Sequence, residues 1–245
     1  MDEAAKVKTR MIDVGRSLPP RFLLCAVLIG VFWSGWAGGS EREVETPNEL
    51  PARAERLAGP RRDRWLQPDR VIETLQLSLG ETVADIGSGP GYFTLRFARA
   101  VGSTGRVYGV DIEPYFLAEL ERDARESGLT NILPVLVTPE DTSPPSGAFD
   151  LVFFSSSYHH IKDRVGYLQQ LRTRLKPGGR VAVIGKKRAS TQDGDARVAL
   201  RFGPRGKVFL DPEQIVLELQ EAGLTVLKRP TFLEGHYFLI AGSQN

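Results

Sequence analysis

The run Asp85-Ile86-Gly87-Ser88-Gly89-Pro90-Gly91 sets an acid two residues ahead of three alternating glycines. Glycines in such a run let the backbone turn sharply and come close to a ligand. Asp111 follows the last of them by 20 residues, at the end of the next β-branched run. A carboxylate at that spacing can accept two hydrogen bonds from a ribose diol. The dinucleotide fingerprint would need its third glycine where this chain has Tyr92. Tyr92 would crowd the helix N-terminus on which a pyrophosphate rests, and Asp85 would repel phosphates. The same acid suits a cationic ligand that bears an amino group. Taken singly, the glycines could make only a tight turn and Asp111 could cap the next helix; in this order they point together to a cofactor.

A second group is Ser155-Ser156-Ser157-Tyr158-His159-His160, which holds two of the three His in the chain. One His could act as a general base near neutral pH, and Tyr158 could orient a substrate through its hydroxyl. Adjacent His residues point in different directions, so the pair alone makes no metal site, and none is expected. The pair could equally cap the helix that starts near Asp163 and pack over the cofactor. A single Cys, Cys25, excludes an internal disulfide framework and a Cys-only metal site. No G-x-S-x-G elbow supports a nucleophilic serine.

These residues need elements to hold them. From Trp65 onward, short β-branched runs alternate with helical patterns, which signals a parallel-sheet α/β domain. Strands are expected at 81–86, 105–111, 132–137, 149–155 and 180–185. Two more, at 225–228 and 237–241, would form an antiparallel hairpin. Helices are expected from Pro68 to about Leu77, at 92–101, at 114–127 with Gly128 as the stop, and at 163–176 with Pro177-Gly178-Gly179 as the stop. A last one opens at Asp211-Pro212, an N-cap acid followed by proline, and closes at Gly223.

ADIGSGPGYF, VYGVDIEP, FDLVFFSSSYHHI and LRTRLKPGGRVAVIG resemble the class I S-adenosylmethionine-dependent methyltransferases, of the ubiquinone/menaquinone-biosynthesis type. The resemblance spans roughly residues 64–245. It implies a seven-stranded Rossmann-like doubly wound sheet of order 3-2-1-4-5-7-6, with strand 7 antiparallel. It implies S-adenosyl-L-methionine as cofactor. Gly87, Gly89 and Gly91, with Ser88, would line its methionine part, and Asp85 would order the ammonium end. Asp111 would hold the ribose hydroxyls and Ile112 would pack on the adenine. The family often has an acid just after strand 3, where this chain has Thr138. Glu140 or Asp141 would take that contact instead. Ser155 at the end of strand 4 completes the set, and Tyr158, His159 and His160 are the candidates for the reacting face.

The chain has 245 residues and a formal net charge of +2, which gives no support for a nucleic-acid partner. Residues 1–39 hold five Lys or Arg against three Asp or Glu, which leaves 27 of each in the other 206 residues. The basic excess precedes a charge-free run from Phe22 to Ser40, expected to be an N-terminal hydrophobic helix serving as signal or anchor. Residues 1–39 therefore read as leader, 40–64 as linker and 65–245 as the methyltransferase domain. That places the protein at a membrane or exported across one. From Lys186 to Lys207 seven basic residues face two acidic ones, which suggests an anionic acceptor or an anionic membrane surface near the site mouth. The reading is a methyltransferase for a small-molecule or lipid-like acceptor. A non-catalytic binding protein of the same fold and a nicotinamide-dependent oxidoreductase are the rivals.

Overall fold

A strand turns alternate side chains to its two faces, and both faces of a parallel sheet must be covered. The computed structural model shows this arrangement for residues 49–144, 147–187, 201–202 and 208–243, which are the residues it describes. Contacts divide the chain into Met1–Glu43 and Val44–Asn245, and every described residue belongs to the second unit. In chain order the helices are α1 (Leu50–Ala58), α2 (Asp63–Leu66), α3 (Pro68–Leu75), α4 (Thr94–Val101), α5 (Pro114–Glu126), α6 (Arg164–Thr173) and α7 (Pro212–Glu221). Short 3-10 turns lie at Pro60–Arg62 and Tyr158–His160. The strands are β1 (Thr82–Ile86), β2 (Arg106–Asp111), β3 (Ile132–Leu136), β4 (Phe149–Ser155), β5 (Leu175–Lys186), β6 (Arg201–Phe202), β7 (Val208–Phe209), β8 (Thr225–Lys228) and β9 (His236–Gly242).

The main sheet runs β3-β2-β1-β4-β5-β9-β8. The first five strands are parallel, and β9 runs antiparallel to β5 and β8. This is the expected order 3-2-1-4-5-7-6, with β8 and β9 as the sixth and seventh strands. β6 and β7 form a separate two-stranded ladder. The side on which successive strands are added reverses between β1 and β4, and ligands of open α/β sheets bind beyond the carboxyl ends at such a point.

The core follows the two-residue period. Ala84, Ile86, Val152, Phe154, Val181 and Val183 pack on one face with residues of α6 and α7. Val83, Leu151, Phe153, Ala182 and Ile184 pack on the other with residues of α3 and α4. Phe153 meets Phe93 and Phe97 edge-on, with ring centres 4.8 and 4.9 Å apart.

Three segments differ from expectation. Residues 50–64, read as part of the linker, are almost wholly helical. Leu50, Arg53, Ala54 and Leu57 turn inward at helical spacing, while Pro51, Ala52, Glu55, Arg56 and Ala58 are exposed. An apolar face that narrow is hard to see among so many charges. Pro177-Gly178-Gly179 does not end a helix; α6 stops at Thr173 and the three residues lie inside β5. The register between β4 and β5 shifts there, Gly178 takes φ +77°, and a Cβ on Gly179 would sit 2.7 Å from the Phe149 carbonyl oxygen. The expected membrane placement is also corrected. Among the described residues no helix is long and apolar enough to cross a membrane, and the run from Phe22 to Ser40 lies outside them.

One buried polar group ties the turn after β4 to α6 and α7. Glu218 of α7 is 4% exposed. It accepts hydrogen bonds from the Tyr158 hydroxyl at 2.8 Å and from Arg164 at 2.9 and 2.6 Å. Burial alone would raise its pKa, but the bonds from Arg164 and Tyr158 outweigh that and hold it below the ordinary carboxylate value. A depressed carboxylate contributes stability above its unfolded value and loses it as pH falls through the folded one. Glu218→Ala would strand the Arg164 charge and the Tyr158 hydroxyl, and should cost about 3 kcal/mol in urea denaturation at neutral pH. The difference from wild type should shrink in acid.

Candidate cofactor site

β1 delivers Asp85 and the glycine loop to the reversal point. Asp85 is buried, and Thr94 at the start of α4 donates its hydroxyl to it at 2.7 Å. Desolvation pushes the Asp85 carboxyl up to about 7. The Thr94 bond opposes that rise, the Asp111 charge adds to it, and Arg62 works against it. Gly87, Gly89 and Gly91 have φ of +71°, +56° and +94°, which side chains rarely adopt. The backbone N–H groups of Gly87 and Ser88 donate to the Val110 carbonyl at 2.8 and 3.0 Å, so the loop is fastened to the end of β2.

Asp111 completes that fastening. One of its oxygens accepts from the Gly89 N–H at 2.7 Å, the other from the Glu113 N–H at 3.0 Å. Burial raises its pKa, against the backbone bonds from Glu113, Gly89 and Ile112 and the charge of Arg53. The carboxylate still has acceptor capacity left for a ligand hydroxyl. Beside it, Ile112 is 48% exposed, a large apolar side chain open at the carboxyl end of β2.

The segment after β3 closes on itself. The Thr138 N–H donates to the Asp141 carbonyl, and the Asp141 N–H to the Thr138 hydroxyl, each at 3.2 Å. The Asp141 carboxylate accepts from the Ser143 N–H at 3.0 Å, which holds its pKa below the ordinary value. Glu140 and Asp141 border a cavity of about 490 Å³ together with His160, Lys162, Tyr167 and Arg174.

After β4 the outcome is divided. The Ser155 hydroxyl is buried with no hydrogen-bond partner among the described residues. Ser157 donates to the Ile86 carbonyl and packs where a Cβ on Gly87 would be. Tyr158 is corrected: it is 1% exposed and its hydroxyl is committed to Glu218, so it cannot orient a substrate. His159 and His160 lie with ring centres 4.0 Å apart. Burial pushes His159 down to about 4, with help from His160 and Arg164, so it is neutral at pH 7 and a weak base. Burial and the charge of Arg53 lower His160, and Asp111 partly restores it. Arg53, Asp111 and His160 therefore share one electrostatic neighbourhood.

Sequence reasoning missed Thr94, Arg53 and Arg62. The first sits at an ordinary helix start, and the other two lie in the segment taken for linker. Leu57 of α1 comes within 3.7 Å of where a Gly89 Cβ would stand, so this segment borders the glycine loop. The Tyr92 side chain is buried where a dinucleotide site has glycine, and its hydroxyl donates to Asp63 at 2.5 Å.

The residues present fit an adenosyl cofactor with an amino-acid end. Asp111 offers free acceptor sites, Ser155 an unused hydroxyl, Ile112 an open apolar face and Asp85 a buried acid. The glycines also carry a measurable cost of substitution. Gly128→Ala, at φ +67° with nothing within 4 Å, meets the backbone penalty alone, about 1 kcal/mol. Gly87→Ala meets that penalty and a Ser157 Cβ at 2.4 Å. It should cost at least about 2 kcal/mol in the same denaturation assay.

Residues 83–179 match the family described as Methyltransferase domain. Aklanonic acid methyltransferase DauC of Streptomyces sp. (strain C5) is 38% identical over 113 residues, which are 46% of this chain and 51% of that protein. A tRNA U34 carboxymethyltransferase of Shewanella sp. (strain ANA-3) is 32% identical over 155 residues, 62% of this chain and 45% of that one. The chain thus spans about half the length of the curated relatives it matches. In fold it is similar to a SAM-dependent methyltransferase from Aquifex aeolicus, with a TM-score of 0.66, 22% identity, and coverage of 78% of this chain and 97% of that one. The matched stretch runs from β1 into β5 and contains the glycine loop, Asp111 and the turn after β4, so these residues are similar to a methyltransferase domain.

Proposed function

We propose that the domain binds S-adenosylmethionine across the carboxyl ends of β1, β2 and β4 and transfers its methyl group to a small-molecule acceptor. The observation that carries this reading is the Asp111 carboxylate, anchored by two backbone N–H groups beside the open Ile112 side chain. When bound, the cofactor supplies a methyl group on a sulfonium, activated for in-line displacement. Asp85 attracts the ammonium at the amino-acid end. Gly87, Ser88, Gly89 and Gly91 let the backbone close on that end. Asp111 holds the ribose diol, and Ile112 packs on the base. Glu140 and Asp141 border the adenine end, with the Asp141 carboxylate already aligned by Ser143. Ser155 lends its hydroxyl from the end of β4.

On the reacting side, His160 feels the opposed charges of Arg53 and Asp111, and His159 lies against it. Both stay neutral at pH 7 and can accept a hydrogen bond or a proton from an acceptor hydroxyl or amine. Displacement at a sulfonium needs positioning more than acid–base help, so these residues orient the nucleophile. A small organic acceptor agrees with the likeness to the aklanonic acid enzyme. The seven basic residues between Lys186 and Lys207 favour an anionic one.

Isothermal titration calorimetry with S-adenosylmethionine tests the reading. Asp111→Ala should weaken binding about ten- to a hundredfold, the worth of charge-assisted hydrogen bonds to the diol. Unchanged affinity would remove the ribose assignment. Affinity should also rise between pH 6 and pH 8, as Asp85 loses its proton near 7 and can hold the ammonium. Asp85→Asn should flatten that dependence.

A further inference from the structure

The proposed cofactor lies across the carboxyl ends of β1, β2 and β4. The ends of β5 and β9 stand at the same edge of the sheet, next to β4. Lys186, the last residue of β5, lies opposite His236, the first of β9, so both side chains leave the same face. Trp65 of α2 stacks on the His236 imidazole, with ring centres 4.5 Å and planes 16° apart. The Lys187 N–H donates to the Gly235 carbonyl at 2.8 Å, which holds the second lysine beside the same turn. The Arg62 guanidinium is 5.5 Å from the Trp65 ring centre.

His236 is 8% exposed, yet its ring is not sealed. Nδ1 faces the Glu234 carbonyl at 2.7 Å. A carbonyl only accepts, so Nδ1 carries the proton and Nε2 has the lone pair of the neutral ring. Nε2 has no partner among the described residues. Among them the only sealed polar side-chain atom without a partner is the Ser155 hydroxyl oxygen, so Nε2 reaches solvent. Lys186 and Lys187 are exposed, and no carboxylate among the described residues lies within ion-pair distance of either. Burial lowers the His236 pKa, the Glu234 bond raises it, and the charges of Lys186, Arg62 and Lys187 lower it further. An aromatic wall with one polar ring edge, beside cations that lack an acid, is the complement of a flat anion.

We propose that the ends of β5 and β9, with Trp65, anchor the acceptor and take an aromatic carboxylate. Lys186 and Lys187 hold the carboxylate, while Trp65 and His236 flank the ring. The proposal rests on the methyltransferase reading above and extends it from an anionic acceptor to a chemical class and a place. That place is one and two strands beyond β4, so an acid anchored there leaves the rest of the acceptor to reach β4.

The test titrates benzoate, and benzamide as its uncharged isostere, into the full chain isotopically labelled at its histidine rings, read by NMR. The spectrum of His236→Gln identifies the His236 signals. Benzoate should shift those signals and bind about tenfold more tightly than benzamide, the worth of one charge-assisted contact. The double substitution Lys186→Met, Lys187→Met should remove that preference; both side chains are exposed, so the fold is not at stake. Benzoate should still bind to a chain saturated with S-adenosylhomocysteine. Competition between the two would put benzoate in the cofactor site and overturn the proposal. A preference that survives the lysine changes, shifts confined to His159 and His160, or no benzoate binding would overturn it while leaving the cofactor reading intact. Lysine-dependent benzoate binding at His236 in a chain that binds neither S-adenosylmethionine nor S-adenosylhomocysteine would keep the anion subsite and overturn the cofactor reading instead.

Discussion

The hydrogen bond from the Gly89 N–H to the Asp111 carboxylate joins two strand ends that the sheet brings side by side. Without it the loop after β1 would have to hold three left-handed glycines with only the Val110 carbonyl as anchor. With it, the carboxylate proposed to hold the ribose also shapes the loop proposed to hold the amino-acid end of the same cofactor. The parallel register Ile86 to Val110 makes this possible, because it sets the two carboxyl ends level. Preorganisation of this kind lowers what must be ordered when a ligand arrives.

The other half of the site comes from outside the sheet. Residues 50–62 bring Arg53, Leu57 and Arg62 toward the loop, and they do so through small contacts: one buried alanine, one leucine and two arginines over aromatic rings. Such a segment has less buried apolar surface than the strands it borders. It can therefore open at lower free energy than the core, as elements that admit ligands generally do.

Much of this was legible in the residues. The alternation of β-branched runs with helical patterns located the sheet, and the spacing of Asp111 from the glycines brought together a loop and an acid that are bonded in the fold. Periodicity could not reveal the side on which a residue's partner lies. Tyr158 looked like a reacting group because it stands between Ser157 and His159, yet Glu218, 60 residues away, claims its hydroxyl. Pro177-Gly178-Gly179 looked like a helix stop, because a bulge inside a strand uses the same residue types. The α1 segment was hidden because four inward residues among charges give no sustained apolar stripe. Each miss involves a contact that is long-range in sequence, which local patterning does not encode.

The buried acid at position 85 has a consequence for the protein's thermal ceiling. A carboxyl displaced from 3.8 to about 7 contributes its full share of stability only in acid, and gives it up as pH rises through neutrality. The orphan hydroxyl of Ser155 adds a second unmet demand in the same place. The fold by itself is thus held below the stability its core would support, at the spot where the proposed cofactor would relieve both. Robustness of this domain to heat is then a property of fold and ligand jointly, and it rises with ligand concentration as mass action requires.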